Sequence, residues 1–259
     1  MRIIKLPLYK KLPRYVLSRI FASNAGNTNA AENGETWLIA QLVNGWAKIK
    51  ETPVIFDVGA NRGEYSALAE TACRSSEISF SLHAFEPMPH SAALFRERFT
   101  SLPSVTLSEA ALAETRGEAP VYFTEDDSTF ASLHKRELLN PLKQQVIQTI
   151  RGDTYVADKR IPKIHLLKVD TEGHEISVLK GFGDFLQAKT IDCIQFEYGG
   201  ATLDAHGTLR ELFLLLESRG FVIARLMPTY LEVQHYHPLL EDFEYRNYVA
   251  LGSELQARL

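Results

Sequence analysis

This 259-residue chain is predicted to fold as an α/β protein built on a mostly parallel sheet, and three observations say so. The first is the segment Val54–Ser66, where a short apolar run ends in Asp57 and Gly59-Ala60-Asn61-Arg62-Gly63 opens a helical stretch. Glycine lets backbone approach a ligand closely, and the free N–H groups at the start of the helix point at the same spot. The second is an alternation of strand-length apolar runs with helical periodicity, the rhythm of βαβ units. The third is the placing of Asp57, Glu86 and Asp170 at the ends of three such runs. Ligands of open α/β sheets bind at the carboxyl ends of the strands.

The elements follow in order. A polar stretch rich in Asn and Gly, Asn24 to Gly34, precedes an amphipathic helix over Glu35–Lys50, whose stripe is Leu38, Leu42, Trp46 and Ile49. Pro53 closes that helix. Val54–Asp57 reads as a strand, Glu64–Cys73 as a helix, Phe80–Phe85 as a strand, Pro89–Thr100 as a helix and Val105–Leu107 as a strand. The region from Ala111 to Pro162 breaks the rhythm, with Val121–Phe123 and Val146–Ile150 as added strands around Ser128–Ser132. Order returns with a strand at Ile164–Asp170, a helix from about Glu175, a strand at Ile191–Tyr198 and a helix at Thr208–Arg219. Phe221–Leu226 and Arg246–Leu251 are the last strands, separated by a loop rich in His and Tyr.

Composition narrows the function. A 45% hydrophobic and 23% charged chain is ordinary globular composition. A formal net charge of −4 argues against broad binding to nucleic acid, which needs a phosphate-neutralising surface. The two cysteines, Cys73 and Cys193, have no metal or disulfide spacing and read as reduced packing thiols. No apolar run approaches the ~20 residues that span a bilayer, and no apolar segment precedes a small-residue cleavage site. The expected location is therefore cytoplasmic. Residues 1–22 differ from the rest: Arg2, Lys5, Lys10, Lys11, Arg14 and Arg19 are interleaved with apolar residues before the first acid, Glu32. One reading is a basic segment in peripheral contact with the inner membrane face or with a partner protein. The other is an arm packed on the main domain, with Pro13 interrupting any long helix.

The turn also discriminates among cofactors. A nicotinamide dinucleotide site carries G-x-G-x-x-G, whose second glycine clears space for the pyrophosphate. Here Asn61 stands at that position, and no Gly-Lys-Ser/Thr follows to make a P-loop. Asp57 would repel a pyrophosphate but attract an ammonium, and Glu86 in Phe85-Glu86-Pro87 is placed to accept both hydroxyls of a ribose. A cofactor with a ribose and a positive charge but no phosphate is S-adenosylmethionine. The rival readings are a nicotinamide-dependent Rossmann oxidoreductase and a non-catalytic domain that binds a cofactor or partner.

Asp57-Val58-Gly59-Ala60-Asn61-Arg62-Gly63-Glu64-Tyr65-Ser66, Ala84-Phe85-Glu86-Pro87 and Leu167-Lys168-Val169-Asp170-Thr171-Glu172-Gly173-His174-Glu175 resemble the FkbM-type S-adenosylmethionine-dependent methyltransferases. Val178-Leu179-Lys180-Gly181 continues the third motif, and the resemblance covers roughly Pro53 to Leu251. It implies a Rossmann-like class I fold with a seven-stranded, mostly parallel sheet, an antiparallel last strand and helices on both faces. Residues 1–34 would be a basic extension and linker, and 35–259 the methyltransferase domain, with an insertion at about 112–162. By motif position, Asp57, Gly59, Asn61, Gly63, Tyr65 and Ser66 would line the methionine end of the cofactor. Glu86 and Pro87 would hold the ribose, and Glu109-Ala110-Ala111 would border the adenine. The implied reaction is O-methylation of a sugar, glycan or secondary-metabolite hydroxyl.

Methyl transfer rewards positioning, worth ~7–11 kcal/mol of barrier, and removal of the hydroxyl proton, worth roughly 10²–10⁴-fold. In this architecture the methyl group faces the end of the Ile164–Asp170 strand, where Asp170, Glu172 and His174 cluster, with Glu197 closing the next strand. Asp170 is the first candidate to orient the reacting groups, as a cofactor contact or an acceptor contact. Glu172, His174 or Glu197 is a candidate to take the proton. The plain alternative is that Glu172 and Glu175 serve the dipole of the helix that follows. Asp170, Glu172, His174, His235 and His237 are metal-ligand types, but no spacing among them is diagnostic, and no metal is expected. The acceptor pocket is expected from Ser128–Ser132 and from Met227–Phe243, with Tyr230, His235, Tyr236, His237 and Tyr245 facing a sugar ring, unless these aromatics pack the sheet edge.

Overall fold

The structure, a computed structural model, describes residues 26–123, 131–134 and 143–257. The expected basic segment 1–22, and Ser128, Thr129 and Phe130 of the expected acceptor pocket, lie outside the described residues.

The main sheet contains β1 (Val54–Val58), β2 (Ser81–Phe85), β3 (Val105–Ser108), β7 (Leu166–Val169), β8 (Cys193–Tyr198), β9 (Val222–Leu226), β10 (Leu231–Val233) and β11 (Arg246–Leu251). Their order is β10-β9-β11-β8-β7-β1-β2-β3. Strands β8, β7, β1, β2 and β3 pair in parallel, and β11 runs antiparallel between β8 and β9. This is the expected class I arrangement with one addition. Eight strands are present rather than seven, because the chain after β9 turns back as β10 and pairs antiparallel with it along the edge. The expected strand Ile164–Asp170 is shorter at both ends: Ile164 makes only an isolated bridge to Ile191, and Asp170 lies past the ladder.

Helices cover both faces because these central strands are apolar on both sides. On one face lie α1 (Glu35–Ile49), α2 (Glu64–Ser75) and α3 (Pro89–Phe99), burying Leu38, Leu42, Trp46, Ala69, Phe95 and Phe99 against Ile55, Leu82 and Leu166. On the other lie α4 (Gly152–Asp158), α5 (Glu175–Lys180) and, after the short α6 (Gly200–Asp204), α7 (Leu209–Glu217). They bury Tyr155, Val178, Leu179, Leu212 and Phe213 against Phe56, Val58, Val169 and Phe196. A last turn, α8 (Ser253–Gln256), ends the described chain. The irregular region makes its own three-stranded sheet, β4 (Ala111–Leu112), β6 (Lys143–Ile150) and β5 (Gly117–Phe123) in that order. Both expected added strands are present there and run longer, as one antiparallel ribbon.

Candidate active site

The site grows out of one face of the sheet. Residues facing α1 and α2 are apolar low on the strands, where Ile55 stands beside Leu166. One pleat higher the same face turns polar: Asp57, Lys168 and Gln195 stand in register across β1, β7 and β8. Above this row the strands end and a cavity of about 600 Å³ opens, within the range of small-molecule sites.

Gly59 starts the first wall. Its φ is +82°, and a Cβ there would sit 1.8 Å from the Asp170 carbonyl oxygen, so only glycine lets the two loops touch. The N–H groups of Gly59 and Ala60 both donate to the Phe85 carbonyl oxygen, which pins the turn to the end of β2. Asn61 also sits at positive φ, 47°. Its backbone N–H donates to Glu86 Oε2 at 2.9 Å, and Met88 N–H donates to Glu86 Oε1 at 2.7 Å. Glu86 is thus held by backbone yet keeps lone pairs for a ligand. Burial raises its carboxyl to about 7, against the two backbone donors.

Asp57 is fully buried and accepts a 2.6 Å bond from the Ser66 hydroxyl at Oδ2, while Oδ1 has no partner. Burial raises this carboxyl above its ordinary value, with Lys168 and Ser66 acting against that. Lys168 is the cation of the cavity wall among the described residues. Its Nζ lies 2.8 Å from Asp170 Oδ2 and 4.8 Å from the centre of the Tyr65 ring. Burial opposes its charge, but Asp170, Asp57 and Glu35 more than offset that and hold the ammonium above its ordinary value. Tyr65 donates to Gln195, and Gln195 donates to Glu35 and Asn247, so α1 and α2 are tied to the polar row.

At the far wall Asp170 and Glu197 bring carboxyl oxygens within 4.8 Å of each other. Burial and the neighbouring Asp170 charge raise the Glu197 carboxyl well above its usual range. Burial would also raise Asp170, yet Lys168 and the Glu197 bond hold it down at about 2. Glu172 is brought to this pair: oxygens of Asp170, Glu172 and Glu197 lie within 4.8 Å of one another, with Lys168 offsetting part of their charge. His174 borders the cavity with Nδ1 3.4 Å from His134 Nε2, and burial and His134 lower it to about 4. The insertion is fastened here, because the Ser132 hydroxyl donates to the Glu172 carbonyl oxygen at 2.7 Å. Glu175 faces inward, accepting from Thr171 N–H, Thr171 Oγ1 and Gly173 N–H, which makes it the brace of this loop.

The cavity wall therefore holds Asp57, Gly59, Asn61, Tyr65, Glu86, Pro87, Asp170, Glu172, His174 and Glu197 among the residues singled out from sequence. Three expected cofactor contacts stand behind the wall. Ser66 supports Asp57, Gly63 packs on Phe95 and Phe99, and Ala110 is buried beside Ala111, which takes its place in the lining. Glu109 turns outward to Arg96. Of the aromatic loop only Tyr245 reaches the cavity. Tyr230, His235 and His237 are exposed, and Tyr236 packs on Phe213, because β10 carries this loop along the sheet edge.

Thr28, Ala30, Glu35, Lys168, Val121 and Leu133 line the cavity without having been singled out. Lys168 had a visible signal, a lysine inside an apolar strand two residues before Asp170. The segment carrying Thr28 and Ala30 gave none; it is held by Gly26 N–H donating to the Tyr245 carbonyl oxygen.

Comparison with known proteins adds to this geometry. The methyltransferase FkbM domain family matches residues 57–223. The hexuronic acid methyltransferase AglP of Haloferax volcanii is 28% identical over 183 residues, which cover 68% of this chain and 72% of that protein. The 31-O-demethyl-FK506 methyltransferase FkbM of Streptomyces tacrolimicus is 25% identical over 204 residues, with 68% and 75% covered. Among solved structures, a methyltransferase FkbM from Methylobacillus flagellatus aligns over 95% of this chain and 71% of that one, at 14% identity and a TM-score of 0.48.

Proposed function

Because this chain belongs to the methyltransferase FkbM family, we propose that it transfers a methyl group from S-adenosylmethionine to a hydroxyl of a sugar, glycan or secondary metabolite. The observation that carries the reading is the pair of strand-tip acids, Asp57 and Glu86, on either side of a turn that only Gly59 can make. The residues fit the cofactor. Asp57 Oδ1 is a buried acceptor without a donor, suited to the cationic part of the ligand, and Glu86 has acceptor capacity for two ribose hydroxyls. Pyrophosphate is disfavoured because Asn61 N–H, which would face it, is committed to Glu86.

When bound, the cofactor supplies a methyl carbon on a sulfonium, which leaves as a neutral thioether as the acceptor oxygen takes the methyl. The chain has to hold that oxygen in line and receive its proton. Asp170, ionised beside Lys168, accepts the hydrogen bond of the acceptor hydroxyl and orients it, while Glu197 keeps its own proton and steadies Asp170. Glu172 and Tyr245 orient the acceptor, and His174, held neutral, offers a ring nitrogen. The names of the two relatives, one carrying a 31-O-demethyl substrate and one a sugar acid, support an oxygen acceptor.

The test is to incubate the chain with S-adenosylmethionine and extracts of glycans and small metabolites, and to search by mass spectrometry for a species that gains one methyl group. An O-methylated product that disappears with Asp170→Ala supports the proposal. Transfer only to nitrogen or carbon would overturn the acceptor class.

A further inference from the structure

Lys168 lies in the middle strand of the sheet and touches both halves of the site. In register it stands between Asp57, on the cofactor side, and Gln195. Its Nζ is 2.8 Å from Asp170 Oδ2, and its side chain is only 7% exposed. The centre of the Tyr65 ring lies 4.8 Å from the same ammonium. Oxygens of Asp170 and Glu197 lie within 4.8 Å of one another, and two carboxyls so close do not both stay ionised. With a single proton for two oxygens, a fixed cation beside one partner decides where the charge rests.

We infer that Lys168 is a positioning residue that fixes the negative charge on Asp170 and the shared proton on Glu197, so that the acceptor always meets an ionised Asp170. The inference rests on the proposed methyl transfer only for its purpose, not for its content. The groups facing the trio are Asp57 on β1, Glu35 on α1, Tyr65 on α2, Glu172 in the loop after β7, Glu175 at the start of α5, and Tyr245 before β11. All are acids or phenols, so Lys168 has no cationic substitute among them. Removing it would leave Asp170 among like charges, and Asp170 would then take up a proton much nearer neutrality.

Isotope-edited infrared spectroscopy of the full chain, without cofactor or acceptor, reads protonated carboxyls through their carbonyl stretch. At neutral pH the difference between wild type and Glu197→Gln is expected to show the loss of one protonated carboxyl, beside the part contributed by Glu86, whose carboxyl burial raises to about 7. In Lys168→Met a second band is expected, absent from Lys168→Met/Asp170→Asn, titrating more than about one pH unit above the wild-type Asp170, a tenfold rise in proton affinity. Lys168→Arg should restore the wild-type titration. A neutral-pH band of the same intensity in Glu197→Gln as in the wild type, or an Asp170 titration unmoved in Lys168→Met, would overturn the inference. If Lys168→Met fails to fold, Lys168→Gln replaces it with the same expected and contrary results. Because these spectra need no turnover, failure of the methyl-transfer reading would leave them unchanged, and the two failures are distinguishable.

Discussion

Replacing Glu86 by glutamine should change how stability depends on pH, by an amount the structure sets. In the fold this carboxyl is 6% exposed and burial pushes it up to about 7, while in the unfolded chain it returns to its ordinary 4.5. A folded value above the unfolded one means that proton binding favours the fold. That stabilisation is complete below about pH 4, and it is lost as pH rises through about 7. The difference of about 2.5 units corresponds to about 3 kcal/mol. Glutamine has no proton to titrate, so its own cost does not vary with pH. One of its amide faces must meet either Asn61 N–H or Met88 N–H, a mismatch costing about 1–3 kcal/mol. Urea unfolding of both proteins from about pH 4 to about pH 8 gives the comparison. The wild type should lose about 3 kcal/mol relative to Glu86→Gln across that range. A constant difference would show that Glu86 is not desolvated as described, and the reasoning about its cradle would fail.

Gly59→Ala should abolish cofactor binding and lower stability by about 2–5 kcal/mol, from the left-handed backbone and the overlap with the Asp170 carbonyl; calorimetry and thermal melts would check it, and unchanged binding would contradict it. Ser66→Ala removes the 2.6 Å donor to Asp57 and leaves both carboxylate oxygens without a partner, costing about 1–3 kcal/mol in denaturant unfolding. Asp170→Ala and Glu172→Ala, each folded by circular dichroism, should both fall well below normal turnover once an acceptor is in hand. Near-normal rates in both would remove these residues from catalysis.

The parts of this protein that a sequence discloses are those with local causes. The turn at Gly59, the strand-tip acids and the alternation of strands with helices depend on neighbours a few residues away, whereas the class I sheet with its antiparallel last strand came from the resemblance of three motifs to a family. Sites made by distant residues were not legible. Nothing near Glu35 tells that it meets Gln195, 160 positions later, and nothing in Asn24–Gly34 tells that Thr28 and Ala30 reach the cavity. The loop with His235, Tyr236 and His237 has the composition of a sugar-binding surface, yet three residues of it form β10 and commit it to the sheet edge. Ser66 and Gly63 were legible as important but not as standing behind the wall, because one turn of α2 decides which side chains face the ligand. Lys168 was visible in its motif beside Asp170, and only Glu197, brought up from the next strand, gives that pairing its role.

The central claim is that Asp57 and Glu86 grip a phosphate-free adenosyl cofactor, and titration calorimetry tests it most directly. The full chain should bind S-adenosylmethionine at one site, and Glu86→Ala should weaken that binding by about 5- to 150-fold, the equivalent of 1–3 kcal/mol. No heat with S-adenosylmethionine, or saturable binding of a nicotinamide dinucleotide in its place, would contradict it.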